Sequence, residues 1–332
     1  MKNEMLSVAE AAARIEAGDV MVVAGDEALL AQLPRGKWIG GTTVYFVTEE
    51  GGAVVRDKLF CTRFERATGA VPRWLEVGDL PKISEGYAEN GFTMIMIPAF
   101  SVAHSDFAVE GQGYPGLFDQ PLAGWITGVH LDELGKRAPK VFDGATGLAH
   151  DEGAVLLHVA LPDGVAADLD ILNIFAQGEA EALTFTFPKA GFEAEVATVE
   201  GQEVNLARYI TEHEIDTRLP LVANYAGTLV NVSIQEVDAE AGKVKFYAPV
   251  VEGVEYRLAQ ALGSYAQAFA DGAGGKGANE YSCNCILNYL YGELEGQRTG
   301  GFTGPVTFGE IAYILLNQTL VRMELHEGDA AA

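Results

Sequence analysis

Cys283 and Cys285 lie one residue apart. In a strand, residues i and i+2 point to the same face, so both thiols would line one pocket, with Asn284 between them. Three chemistries suit such a pair: a redox couple, a soft metal site or a nucleophile. The spacing is not the C-x-x-C of thiol oxidoreductases. No local histidine or further cysteine completes a zinc set. A nucleophile would need a base within hydrogen-bond reach. Free cysteine is among the most buried residue types, so plain packing is the first reading and pocket lining the second.

A second constellation follows. Phe308-Gly309-Glu310 leads into the uncharged run 311–316 and then Asn317-Gln318-Thr319. Glu310 stands either at a strand end in water or inside a pocket, where burial would raise its pKa unless a cation or donors met it. Asn317 and Thr319 share a face at strand spacing. Polar groups within apolar runs need partners or a ligand, since each left unpaired costs on the order of 1–3 kcal/mol. Near the other end, Gly40-Gly41-Thr42-Thr43 offers backbone N–H groups and two hydroxyls, a nest for an anion or carboxylate. It has neither the lysine of a P-loop nor G-x-G-x-x-G, and a tight turn explains the glycines equally well. Gly274-Gly275-Lys276-Gly277 lacks the Ser/Thr of a phosphate loop and reads as a flexible connection. The six histidines are scattered. Without H-E-x-x-H or C-x-x-C-H there is no assigned metal ligand, catalytic residue or haem attachment.

The elements that position these residues are mixed. Ser7 with Glu10 forms a capping box opening an alanine-rich helix over 7–17. Strands are expected at 20–24, 38–46, 53–64 and 92–97, and helices at 26–33, 79–90 and 101–110. From 122 to 258 strands dominate, with spacing that argues for an antiparallel sheet and one helix near 205–213. A helix at 259–270 and a glycine loop at 271–278 precede the cysteine segment. The fold class is therefore α/β (α+β) and two-lobed. A mixed N-terminal lobe spans 1–180, and a more β-rich C-terminal lobe with an antiparallel sheet spans 181–326. No short repeat is evident. Each half has a glycine-rich turn feeding a strand, at 40–43 and 300–303, which suggests two related halves.

These pieces resemble, in order along the chain, the FIST family of intracellular sensory domains in bacterial signal transduction. The resemblance is carried by Trp38 to Thr43, Val244 to Tyr247, Val251 to Val254, Ser282-Cys283, Glu293 and Glu295, Gly300-Gly301-Phe302, Phe308-Gly309-Glu310 and Asn317-Gln318-Thr319. It departs at Asn284, where the family has an arginine after its cysteine. The resemblance implies a sensor that binds a small polar metabolite, such as an amino acid, between its lobes. The ligand-facing residues would be Gly41, Thr42, Thr43, Cys283, Asn284, Cys285, Phe308, Gly309, Glu310 and Asn317. Haem is a minor cofactor candidate, because some FIST-like proteins bind it and sense nitric oxide. A cysteine-dependent hydrolase of a small amide or thioester is the competing class.

Composition narrows the partners. The 332 residues carry a formal net charge of −25 and are 48% hydrophobic. A phosphate backbone or anionic membrane surface would be repelled. No apolar run reaches the roughly 20 residues that span a bilayer. Acidic residues interrupt the first 19 positions, unlike a signal peptide. Three cysteines make no disulfide framework. The expected setting is cytoplasmic. The expected partners are a small molecule, a separate signalling protein and further copies of the chain.

Overall fold

Six short runs of small and apolar residues pair as three parallel two-strand units. Met21–Gly25 lies beside Trp38–Thr42, Gly91–Pro98 beside Leu122–Thr127, and Tyr281–Cys285 beside Gly304–Thr307. All six strands are buried along their whole length. Strands covered on both faces need such continuous small or apolar sequence. A helix joins each pair: Glu27–Leu30, Val102–Glu110 and Ile286–Tyr291. The computed structural model describes residues 1–179, 182–225, 228–273 and 280–327.

Each pair is the centre of a six-stranded sheet, and the three sheets have the same strand order. The first runs Lys2–Leu6, Leu59–Arg63, Met21–Gly25, Trp38–Thr42, then the hairpin Val141–Asp143 and Leu148–His150. The second runs Gly69–Leu75, Ala154–Ala160, Gly91–Pro98, Leu122–Thr127, then Glu310–Ala312 and Ile314–Leu316. The third runs Val165–Leu172, Leu320–Glu327, Tyr281–Cys285, Gly304–Thr307, then Tyr45–Thr48 and Gly51–Val54. The chain thus contains one unit three times, in modules at 2–63, 69–160, and 165–172 with 281–327. Each module gives its hairpin away. The hairpin at 45–54 completes the third sheet, that at 141–150 the first, and that at 310–316 the second. The exchange closes in a cycle.

One core lies among the inner faces of the three sheets, with Val22, Met94, Met96, Trp125, Leu157, Tyr281, Cys283 and Met323. The outer faces pack under their own helices. Met21, Val23 and Trp38 meet the helix Val8–Glu16. Ile95, Ile97 and Ile126 meet Ala103 and Phe107. Val306 and Leu320 meet Ile286, Leu287 and Phe269. Strand alternation sorts Val22 and Ala24 inward and Met21 and Val23 outward.

The third module is interrupted after Leu172 by an inserted β unit. Its two sheets, of six and three strands, are antiparallel throughout. They enclose Phe185, Phe187, Leu206, Ile210, Phe246 and Tyr256. The helix Leu206–Glu212 belongs to this unit, as expected near 205–213.

The mixed, strand-rich class agrees with the sequence reading, but strand pairing traces three alike modules and an insertion rather than two lobes. The junction expected at 180/181 and the glycines of 274–277 lie outside the described residues. The helix expected over 79–90 is a short 3-10 turn, Val77–Lys82, containing Pro81. Proline removes a helical hydrogen bond and clashes with the preceding turn. The strand expected at 53–64 is broken at 55–58, where the chain returns from the third sheet to the first.

Candidate functional site

The cysteine segment and the glycine-threonine turn do approach one another, and the strand Leu122–Thr127 joins them. Glu310 lies opposite Trp125 in the sheet register. The Cys283 thiol is 3.5 Å from the Gly124 carbonyl. A Cβ on Gly41 would fall 2.5 Å from Thr127 Cγ2 and 3.0 Å from Trp125 Nε1. The indole of Trp125 stacks on Tyr281 at 6.2 Å.

Glu310 is wholly buried. Its Oε2 accepts 2.8 Å and 3.3 Å hydrogen bonds from the Thr319 hydroxyl and backbone N–H. The neighbouring Cys285 thiol also favours the charged form of the carboxylate. Burial outweighs these donors and raises its pKa to about 8, so the group is mostly protonated at neutral pH. Burial also raises both thiols, and Glu310 adds to the effect. Glu310 Oε1, Trp125 Nε1 and the Thr127 hydroxyl have no partner.

The remaining expected residues are committed to local bonds. The Thr42 N–H donates to the Lys140 carbonyl and that of Thr43 to Gly25, while the Thr43 hydroxyl donates to Val306. Those N–H groups therefore do not form an open nest. Asn284 accepts from Asn288 at 3.0 Å. Its free Nδ2 and the free Thr299 hydroxyl line one hollow of about 10 Å³, a size for a single water. Asn317 Oδ1 accepts from the Ser233 N–H and hydroxyl, and its Nδ2 donates to Asn231. These bonds fasten the inserted unit to the third module. The Gly309 carbonyl accepts from Ile126 and from the Thr307 hydroxyl.

Phe308 alone among the expected residues reaches a sizeable apolar cavity, which opens to solvent at one mouth. It has a volume of about 180 Å³. The helix Val102–Glu110 supplies His104 and Ser105, and Ile286–Tyr291 supplies Ile286, Leu287 and Leu290. The inserted unit closes it with Phe192, Gln235, Phe246 and Tyr247. None of the described residues that line it is charged. A larger concavity of about 670 Å³ beside Glu4, Glu50 and Gly301 is more open, and among the described residues no unpartnered buried group lines it.

His104 is held from both sides. Ser101 caps its helix by accepting from the His104 N–H at 3.0 Å, and Glu152 accepts from the Val102 and Ala103 N–H groups. The ring Nδ1 accepts a 3.3 Å bond from the Phe100 N–H. Nε2 is buried and unpartnered. Burial lowers the pKa to about 4, so the ring is neutral. Phe100 itself has φ 65°, a left-handed conformation that costs a bulky side chain energy. The residue is 62% exposed at the cavity mouth, beside the exposed Leu134 and Leu290. In the sequence His104 is one scattered histidine among six. Its signal lies in Phe100-Ser101-Val102-Ala103-His104, a capped helix start carrying one ionisable ring among apolar residues.

Among the described residues no cluster of His, Cys, Asp and Glu is placed to hold a metal, and no helix is long and apolar enough to cross a membrane. A model described as a family of unknown function, DUF6976, matches residues 6–326. This overturns the resemblance to FIST proteins: the match covers nearly the whole chain, and no FIST model matches. No curated protein matches the chain.

Proposed function

The chain belongs to the DUF6976 family, and from its geometry we propose that it is a small-molecule-binding protein whose ligand occupies the cavity between the second module, the third module and the inserted unit. The observation that carries this reading is the cavity itself, about 180 Å³ of space whose described lining residues are uncharged and come from all three units. The strained, exposed Phe100 at the mouth supports the same assignment, because backbone strain clusters at ligand clamps. We place the ligand here rather than around Glu310, whose neighbours Trp125, Cys283 and Cys285 are at most 1% exposed.

A cysteine hydrolase gains no support, since the buried thiols are held protonated and their acid neighbour is itself raised. A porphyrin exceeds the cavity, which is smaller than the roughly 300–1,000 Å³ of drug-sized sites. Three units of the fold wall the cavity, so a ligand touching them unequally would shift their arrangement by its differential affinity. That is the form a sensing role would take.

The test is a fragment screen by protein-observed NMR, repeated on Leu290→Trp, which fills the mouth. Hits that shift His104 and Leu287 resonances and vanish in the variant are expected. Hits confined to other surfaces would overturn the assignment.

A further inference from the structure

We infer that the bare edge of the first sheet is a docking site for an extended, basic peptide segment of a partner protein. The site is separate from the apolar cavity and does not depend on it. Three observations carry it.

The first is the edge. Lys2–Leu6 pairs with Leu59–Arg63 on one side only. Among the described residues, no backbone hydrogen bond reaches residues 2–6 from the other side. Such a strand presents a row of free N–H and C=O groups, and an extended peptide can satisfy them by adding a strand. Gly69–Leu75 holds the same place in the second sheet and carries Pro72, a residue that blunts an edge. The first edge has no proline.

The second is the hollow beside it. The concavity of about 670 Å³ touches Asn3, Glu4, Met5 and Leu6 in succession. Strand side chains alternate between faces, so a hollow over one face would meet only every second residue. One that meets four in a row runs along the edge, where the free backbone is. Four extended residues span roughly 13 Å. The far wall is the turn at 48–50, in the hairpin that completes the third sheet, and the segment 300–303. The hollow therefore lies between two sheets and opens to solvent, as a groove for a peptide must.

The third is charge. Glu49 and Glu50 are exposed on the far wall, and among the described residues no ion pair engages either. Glu4 on the near wall is already matched by Lys2 and Arg63. Arg298 is the one cation among the described lining residues. Two unmatched carboxylates thus face one guanidinium, in a chain whose formal net charge is −25. A strand bearing lysine or arginine is drawn in, and an acidic one is repelled. Met5, Leu6 and Phe302 offer apolar surface to its other side chains.

The probe is the synthetic peptide acetyl-Lys-Val-Lys-Val-Lys-Val-amide, titrated at low salt into the 15N-labelled protein and followed by amide NMR. Two comparison peptides carry Glu in place of Lys, or a methyl on every backbone nitrogen. The lysine peptide is expected to shift the amides of Asn3, Glu4, Met5 and Leu6. Its affinity should fall about tenfold in the double variant Glu49→Lys, Glu50→Lys, which alters only an exposed turn. Both comparison peptides should bind at least about tenfold more weakly than the lysine peptide. Equal binding of the methylated peptide would mean ionic attraction without strand pairing and would overturn the inference. So would equal binding of the glutamate peptide, shifts confined to other surfaces, or no binding at all. Shifts at residues 3–6 on dilution without peptide, together with a dimer in sedimentation, would give the edge to a second copy of the chain and overturn the partner. Leu290→Trp should leave peptide binding unchanged; its loss there would place the peptide in the cavity and overturn the edge assignment.

Discussion

The Thr319 hydroxyl donates a 2.8 Å hydrogen bond to Glu310 where neither side chain has any exposure. The two residues belong to different sheets: Glu310 is in the second, one strand in from its edge, and Thr319 leads into Leu320–Glu327 of the third. Their bond therefore ties two sheets together, and its strength depends on how the carboxylate is protonated.

Burial raises the Glu310 pKa from 4.5 to about 8. The native state then holds a proton that the unfolded chain releases between those values. Its contribution is present in full below about 4.5 and is lost as pH rises toward 8. His104 and His158 act in the opposite sense, because burial lowers both to about 4; their contribution is full above 6.5 and lost as pH falls. Glu310→Gln isolates the first effect. In urea unfolding, wild type should lose stability relative to the variant between pH 5 and 8, by on the order of a few kcal/mol. A constant difference across that range would refute the buried, protonated carboxyl.

Cys61, Cys283 and Cys285 are all buried, and burial raises the Cys61 thiol to about 12. The thiolate is the reactive form. Iodoacetamide at pH 8 should therefore leave all three unmodified in the native protein while labelling all three in denaturant, as read by intact mass. Fast labelling of Cys283 or Cys285 alone would restore the nucleophile reading.

Two glycines on neighbouring elements should differ in their intolerance of alanine. A Cβ at Gly124 would lie 1.7 Å from the Ile95 carbonyl oxygen, which is backbone and cannot turn aside. At Gly41 the nearest contacts are side chains of Thr127, Trp125 and Met96. Gly41→Ala should cost about 1–3 kcal/mol, and Gly124→Ala more, because overpacking is worst where nothing can repack. Thermal melts of the two variants give the order directly.

Asn317→Ala should loosen the inserted unit. It strands the Ser233 N–H and the Asn231 carbonyl, both buried, at about 1–3 kcal/mol each. Amide exchange should quicken in Thr228–Val232 and in Lys243–Val250, which supplies Phe246 and Tyr247 to the cavity. Unchanged exchange there would mean that other contacts hold the unit in place.

Local features were legible in the sequence. The capping box of Ser7 and Glu10 forms as its residues dictate, and the run 92–97 lies within a fully buried strand. Of the two settings open to Glu310, water or the interior, the structure shows the interior. The uncharged run that follows carries the carboxyl in with it. The triplication was not legible. The second parallel strand of each module ends in a threonine, Thr42, Thr127 or Thr307, opposite Gly25, Pro98 or Cys285. Around those threonines the residues are Gly41 and Thr43, Ile126 and Gly128, and Val306 and Phe308. Hydrophobic burial asks only for small or apolar side chains there, so the fold persists without sequence identity. The cavity was hidden for another reason. Its walls come from segments near 100, 131, 192, 247, 287 and 308, and no sequence window spans them.

The cyclic giving of hairpins has a consequence for biogenesis. As the chain emerges from the ribosome, the first sheet must wait for residues 141–150, and the second for residues 310–316. The hairpin at 45–54, made early, finds its strand Gly304–Thr307 only after residue 307 has been made. Until then two sheets have bare edges, and bare edges recruit strands from other molecules. Closing contacts of such long sequence separation is slow. The nascent protein therefore passes through a window in which a second chain can supply the missing hairpin. The same ring that closes the finished fold offers, during its assembly, a route to strand-exchanged dimers.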